Sequence, residues 1–140
     1  MPGTLVWRRD LHVGLVNHYG VVLTDDLHIA HIDKASAGHL RVKIEAAEKF
    51  AAGQPWFYEP RAAPVALDAM WPRVEQVRKE RRPFGLLCWG ESWNCESFAR
   101  YVRDGIAQSL QAASANQVLG VVALVAFVGF IVGVASSDSA

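Results

Sequence analysis

Cysteine is scarce in this chain, which has only Cys88 and Cys95 among its 140 residues. Two cysteines cannot build a disulfide framework, and they lack the further Cys and His spacing of a structural zinc site. This usage indicates a reducing compartment. Each thiol must therefore be weighed by its own surroundings.

The chain also has no excess charge of either sign, because 14 acidic side chains balance 14 basic ones. This balance gives no argument for nucleic acid, and we expect no nucleic-acid partner. The first ten residues contain no apolar run after their charges, so a secretory signal peptide is not expected. A Gly-rich phosphate loop and a Gly-x-Ser-x-Gly elbow are also absent, which excludes those two motif-bearing classes.

Charge is missing from a long apolar stretch near the C-terminus. The 18 residues from Val118 to Ala135 contain no charged or strongly polar side chain, and this length just reaches across a bilayer. A buried core helix is rarely apolar all round for so long. We therefore predict a catalytic or binding domain at 1–110, a polar linker at 111–117 and a transmembrane anchor at 118–135. Because Arg100 and Arg103 precede the anchor, the domain is expected to face the cytoplasm.

Periodicity in the rest of the chain predicts an α+β domain with an antiparallel sheet packed on helices. Alternating apolar residues predict strands at 4–16, 18–23 and 27–32. Helices are predicted at 45–52, 65–81 and 94–110. The proline-rich aromatic stretch 54–64 is either an extended connection or one more strand.

The loop between the second and third strands decides which histidines share a face of the sheet. A four-residue loop places Gly20 opposite His31, so His18 and His31 lie on one face. A three-residue loop places Val22 opposite His28 and brings His28 to His18 instead. The sequence alone leaves both registers open.

Cys95 lies at the predicted start of the third helix, where partial positive charge and unpaired N–H groups favour a thiolate. A nucleophilic cysteine needs a base and a group that orients the base. A histidine on the central strand could take its proton, and a second histidine could hold the first in the required tautomer. The alternatives are an inert buried thiol at Cys95 and a zinc site formed by His18, His28 and His31.

Three sequence motifs, in their order along the chain, resemble those of the lecithin:retinol acyltransferase (LRAT) domain family. Asn94-Cys95-Glu96-x-Phe98 is similar to its Asn-Cys-Glu-His-Phe box, with Ser97 in place of the usual histidine. The stretch His18-Tyr19-Gly20 resembles its His-Tyr/Trp-Gly/Ala box, and His31-Ile32 resembles the segment with its second histidine. The apolar C-terminus is similar to the anchor of the HRAS-like phospholipase and acyltransferase members.

The resemblance implies a circularly permuted papain-like (NlpC-type) fold with the sheet first and the cysteine helix last. It implies that Cys95 is the nucleophile, that His18 is the general base and that His31 orients His18. Tyr19 or the backbone N–H groups near Cys95 would stabilise an oxyanion. No cofactor and no metal are expected.

The activity that the resemblance implies is acyl transfer from membrane phospholipid through a thioester on Cys95. The acceptor would be water, an amine or an alcohol, which makes the enzyme a phospholipase A or an acyltransferase held at the membrane by 118–135. Two alternatives stay open: an NlpC-type thiol peptidase or amidase, and a non-catalytic membrane adaptor.

Overall fold

We examined the fold in a computed structural model, which describes residues 1–10, 16–35, 38–59, 65–86, 88 and 91–137, except for the side chains of 125–137. The helices and strands in chain order are β1 (Leu5–Arg9), β2 (Asn17–Val22), β3 (His28–Lys34), β4 (Leu40–Ala46), α1 (Ala47–Ala51), β5 (Trp56–Glu59), α2 (Leu67–Glu80), α3 (Cys95–Asp104) and α4 (Leu110–Ser137).

The strands form one antiparallel sheet in the order β4-β3-β2-β1-β5, so β2 is the central strand. Successive side chains of β2 point to opposite faces. Tyr19 and Val21 pack towards α2 and α3, in a core cluster that includes Phe98. Val22 packs on the other face, against Phe50 of α1. The predicted α+β class with an antiparallel sheet on helices is confirmed.

The β2–β3 hairpin has the four-residue loop. Gly20 pairs with His31, and Val22 pairs with Ile29. The Leu23 N–H donates to the His28 carbonyl, which leaves residues 24–27 as the loop. His18 and His31 therefore share the face of the sheet that carries Phe50, and the three-residue register is excluded.

Two predicted boundaries are wrong for local reasons. The segment 45–46 belongs to β4, because Glu45 and Ala46 continue the ladder opposite Ile29 and His28. The third helix ends at Asp104 rather than at 110, because Gly105 adopts a left-handed conformation with φ of 79°. Of the predicted first strand, β1 covers Leu5–Arg9, and residues 11–15 lie outside the described part of the chain.

The aromatic stretch forms a strand, and Pro72 lies inside α2. The strand β5 pairs with β1 at the edge of the sheet, where Phe57 stacks on Trp7 with ring centroids 4.5 Å apart. The interpretation of this stretch as a further strand is therefore correct for Trp56–Glu59, and residues 60–64 lie outside the described part of the chain.

The predicted transmembrane anchor at 118–135 is overturned. Within the described residues, no helix has the length and apolar character that crossing a membrane requires. The helix α4 begins at Leu110, so the segment 111–117, predicted as a linker, forms its first turns and brings polar side chains into the helix. The predicted single-pass membrane localisation, which depends on this anchor, is therefore wrong as well.

We expect Gly20→Ala to destabilise the fold. A Cβ at this position would lie 2.5 Å from Ile29 Cγ2 and 3.1 Å from Phe50 Cε2. Overpacking of this kind typically costs about 1–3 kcal/mol, which urea unfolding would measure. The matched control is Gly120→Ala in α4, where the new Cβ meets nothing within 4 Å; its stability should stay equal or rise slightly. Equal unfolding midpoints for Gly20→Ala and the parent chain would contradict the packing described.

Candidate active site

The cap that precedes Cys95 fixes the start of α3. Asn94 Oδ1 accepts the Ser97 N–H at 2.9 Å, and Ser97 Oγ accepts the Asn94 N–H at 3.0 Å. This reciprocal capping box satisfies two backbone donors at the helix start. It also gives a physical role to Ser97, the position that departs from the motif of the similar family. The Asn94 amide further donates to the Leu86 carbonyl at 3.0 Å and to Ser109 Oγ at 2.8 Å.

Glu96 is a buried carboxylate that joins α3 to the start of α4. Its Oε2 accepts from Ser109 Oγ at 2.8 Å and from the Gln111 N–H at 3.0 Å. Its Oε1 accepts from Arg100 Nε at 3.0 Å, and Arg100 also pairs with Glu59 at 2.9 Å. These partners compensate the cost of burying the charge. The α3–α4 connection is thereby held next to the cysteine.

Gln111 binds the Asn17 backbone on both sides. Its Oε1 accepts the Asn17 N–H at 2.7 Å, and its Nε2 donates to the Asn17 carbonyl at 3.2 Å. The same carbonyl accepts the Cys95 S–H at 3.5 Å. Sequence reasoning missed Gln111 because 111–117 was assigned to a linker, and no local motif marks a contact 94 residues away.

The structure brings His18 and His31 together. His18 Nε2 lies 2.9 Å from His31 Nδ1, and His31 Nε2 lies 3.3 Å from Glu45 Oε2. If His31 donates to Glu45 and His18 donates to His31, His18 Nδ1 keeps its lone pair. That is the tautomer a general base needs. Glu45 is the third member of this chain of contacts, and sequence reasoning missed it by placing it in a helix.

Burial keeps both imidazoles neutral. His18 is 6 % exposed and His31 is 3 % exposed. Burial, followed by the nearby His31 and Arg8, lowers the pKa of His18 from 6.5 to about 4. Burial also lowers the pKa of His31, although Asp33 and Glu45 act in the opposite direction. At neutral pH His18 can accept a proton.

Cys95 is a neutral thiol in this environment. Burial raises its pKa to about 12, and the backbone N–H groups of Tyr19 and Glu96 offset only part of this effect. The thiolate expected at a helix N-terminus is therefore not the resting form, because the loss of solvation outweighs the helix dipole. The site therefore contains a neutral thiol and a neutral imidazole.

Cys95 and His18 line one cavity beside the first residues of β2 but pack against different faces of the sheet. Cys95 packs in the core cluster with Tyr19, whereas His18 stacks on Phe50 with ring centroids 5.6 Å apart. Tyr19 and His18 are adjacent along β2, so their side chains lie on opposite faces of the sheet. Within the described residues the Cys95 S–H bonds to the Asn17 carbonyl, and no hydrogen bond joins Cys95 to the His18 ring.

A cavity of about 290 Å³ contains both groups. Its lining residues are Asp10, Val16, Asn17, His18, Phe84, Leu86, Asn94, Cys95, Gln111 and Ala115. Apolar walls with a few convergent polar groups are typical of small-molecule sites. Tyr19 is not among the described residues that line the cavity, and it interacts with the Cys95 sulfur through its backbone N–H.

The other histidines lie elsewhere. His28 Nδ1 pairs with Asp26 at 3.1 Å on the exposed hairpin loop, so a zinc site of His18, His28 and His31 does not form. His39 is exposed and bridges to Pro83. His12 lies outside the described residues.

The depressed pKa of His18 predicts a loss of stability in acid. Between pH 6.5 and about 4 the unfolded chain binds a proton at His18 that the folded chain does not, so stability falls as the pH decreases through this window. The contribution of His18 is about 3 kcal/mol by linkage. Urea unfolding of the parent chain and of His18→Gln at pH 7 and pH 4 would measure it.

The variant should lose clearly less stability than the parent chain, because glutamine does not titrate. His28→Gln is the matched control, since it removes a histidine of the same hairpin whose side chain is 45 % exposed. An equal acid loss in His18→Gln and the parent chain would show that His18 is not buried as a neutral ring.

Comparison with known protein families and curated sequences finds no match for this chain. The resemblance to the LRAT domain therefore stays a prediction that depends on three short motifs.

Proposed function

We propose that this chain is a cysteine-dependent lipid acyltransferase or acyl hydrolase that forms an acyl thioester on Cys95. The observation that carries the proposal is the cavity into which both Cys95 and His18 project, with His18 joined to His31 and His31 joined to Glu45. A nucleophile, a base and two successive orienting groups are the parts that covalent acyl transfer requires.

The first half-reaction transfers the acyl group to the enzyme. His18 Nδ1 takes the Cys95 proton while Sγ bonds to the ester carbonyl carbon, and the carbonyl π electrons move to the oxygen. The tetrahedral intermediate then breaks its ester C–O bond, and the leaving alcohol takes the proton from His18. For this step the Cys95 S–H must leave the Asn17 carbonyl and turn towards His18, a change that substrate binding in the cavity would drive.

The second half-reaction releases the acyl group to an acceptor. His18 removes a proton from water, an alcohol or an amine as its oxygen or nitrogen attacks the thioester carbonyl. Collapse of the second tetrahedral intermediate breaks the C–S bond, and Sγ recovers a proton from His18. Because thiol and imidazole both start neutral, each step depends on proton transfer in the transition state rather than on a preformed ion pair.

The backbone N–H groups of Tyr19 and Glu96 are the candidates for stabilising the oxyanion. Both already interact with the Cys95 sulfur and lower the pKa of its thiol. Fixed donors of this kind stabilise charge that develops in the transition state and need no reorganisation. The capping box at Asn94 keeps the Glu96 N–H in place.

The substrate class comes from the LRAT-like motifs, and the cavity is compatible with it. Val16, Phe84, Leu86 and Ala115 give the cavity apolar walls beside the reactive sulfur. Its volume of about 290 Å³ is at the lower end for ligand pockets. It can hold the ester group and the adjoining part of one acyl chain, while the remainder of a phospholipid stays outside.

We expect Cys95→Ala to abolish acyl transfer. The parent chain, incubated with phosphatidylcholine vesicles that carry a labelled acyl chain, should gain one acyl mass on Cys95 that hydroxylamine removes. In Cys95→Ala the adduct should be absent, and fatty-acid release should fall about a thousandfold or more, because the nucleophile is lost. Intact-mass spectrometry and release of labelled fatty acid are the two measurements.

Cys88→Ala is the matched control. Its thiol bonds to Ser97 Oγ at 3.8 Å and does not line the cavity, so this variant should keep both the adduct and the release. Undiminished release by Cys95→Ala would contradict the cysteine mechanism. Cleavage of peptide substrates without any acyl adduct from lipid would favour the thiol peptidase, and an unreactive Cys95 would favour a non-catalytic adaptor.

We expect Glu45→Gln to lower kcat about tenfold or more with little change in KM. A glutamine can present its amide N–H to His31 Nε2 and so disturb the tautomer that His18 requires. Steady-state release of fatty acid would separate kcat from KM. Glu48→Gln on the exposed side of α1 is the control and should behave like the parent chain. Equal kcat in Glu45→Gln would exclude a positioning role for Glu45.

A further inference from the structure

His18, His31 and Asp33 place three potential metal-ligand atoms around the contact between the two imidazole rings. His18 Nε2, His31 Nδ1 and a carboxylate oxygen of Asp33 lie within 4.8 Å of one another. The two ring nitrogens are 2.9 Å apart, and Asp33 Oδ1 is 4.0 Å from His31 Nδ1. The cluster lies on the Phe50 face of the sheet.

These separations suit a tetrahedral Zn²⁺ ion. Zinc bonds of about 2.0–2.1 Å place neighbouring ligand atoms roughly 3.3 Å apart. Two of the separations, 2.9 Å and 4.0 Å, lie on either side of that value, and the third is no more than 4.8 Å, so side-chain shifts on the order of 1 Å would complete the set. Two imidazoles and one carboxylate leave the fourth position for water, which is a common zinc arrangement.

The surroundings of the cluster resemble those of zinc-bound histidines. A histidine that binds zinc usually donates its other ring N–H to a carboxylate, which fixes its orientation. His31 Nε2 already lies 3.3 Å from Glu45 Oε2. Asp33 is paired with Lys43 in this structure, and Lys43 Nζ is also 3.8 Å from Glu45 Oε1. Lys43 can therefore release Asp33 to a metal while it keeps a carboxylate partner.

We propose that His18, His31 and Asp33 form a binding site for Zn²⁺ that switches off the general base. With zinc on Nε2, the neutral His18 ring carries its proton on Nδ1. The nitrogen that should accept the Cys95 proton then becomes a donor, so the thiol cannot be activated. The inhibitory part rests on the proposed function of Cys95 and His18, whereas the binding part is independent of it.

The route to this site avoids the cysteine. Asp33 is the accessible member of the cluster, with 31 % of its side chain exposed, and it does not line the cavity that contains Cys95. Lys43 of β4 pairs with both Asp33 and Glu45 in this structure, and Arg41 of the same strand pairs with Asp33. Asp33 and Glu45 nevertheless place two carboxylates beside the ion. Zinc bound here therefore needs no thiolate ligand, which distinguishes it from metal captured directly by Cys95.

The test is a zinc titration of the full chain against a chromophoric chelator, in parallel with Asp33→Asn, Cys95→Ala and Asp26→Asn. The parent chain should bind one zinc ion. Asp33→Asn should bind it at least tenfold more weakly, because a neutral amide is a poor zinc ligand. Cys95→Ala should bind like the parent. Asp26→Asn is the matched control, since Asp26 forms the other His–Asp contact of the same hairpin, with His28.

Cobalt substitution gives a readout that does not depend on activity. Co²⁺ in this site should show the visible absorption of tetrahedral coordination without a thiolate-to-metal charge-transfer band. A charge-transfer band that disappears in Cys95→Ala would overturn the proposal, because the metal would then be on the cysteine. Absence of stoichiometric zinc binding, or unchanged affinity in Asp33→Asn, would overturn it as well.

The inhibitory part is tested with the vesicle assay. Zinc at a concentration that fills the site should suppress fatty-acid release by the parent chain, and a chelator should restore it. Whatever activity Asp33→Asn retains should resist the same zinc concentration. Zinc binding as predicted in a chain that releases no fatty acid would support the metal site and contradict the proposed enzyme, so the two failures can be distinguished.

Discussion

Gly20 and His31 are paired across the β2–β3 hairpin, and this pairing puts two imidazole rings on one face of the sheet. The side-chain period of a strand is two, so a loop shorter by one residue would turn one ring to the other face. The pairing also demands glycine at position 20, because Ile29 and Phe50 occupy the space where a Cβ would lie. The contacts among His18, His31 and Glu45 all depend on this register.

Burial then sets the chemistry of the site. The apolar surroundings that hold the rings in place also lower the pKa of His18 to about 4 and raise the pKa of Cys95 to about 12. Loss of solvation disfavours every charged form, whatever its sign. A site of this kind holds its proton on sulfur at rest, and in the proposed mechanism the proton moves only when a carbonyl carbon is available for attack. Unproductive reaction of a free thiolate is thereby limited.

The sequence predicts β2, β3 and the cysteine helix because their signals are local. Alternation marks β2 and β3, and the Asn94–Ser97 segment marks a helix start. The neighbours of Glu45 in the sequence favour a helix, but its pairing with Ile29 of β3 makes it part of a strand. Gln111 carries no signal at all, since its partner Asn17 is distant in the chain. The apolar residues from 118 to 135 predict a membrane span. Within the described residues, however, no helix has the length and apolar character that a span requires.

The contacts of Glu96 have a consequence for where the chain can be cut. Its buried carboxylate takes two of its hydrogen bonds from the α3–α4 connection and the first turn of α4, through Ser109 and Gln111. A chain that stopped at residue 110 would lose the Gln111 bonds and leave a buried charge short of a donor, which costs more than the missing contacts themselves. It would also lose the hydrogen bond from Gln111 to the Asn17 carbonyl, which is the acceptor of the Cys95 S–H. The smallest folding unit that retains the environment of Cys95 therefore extends into α4, at least as far as the buried Ala112.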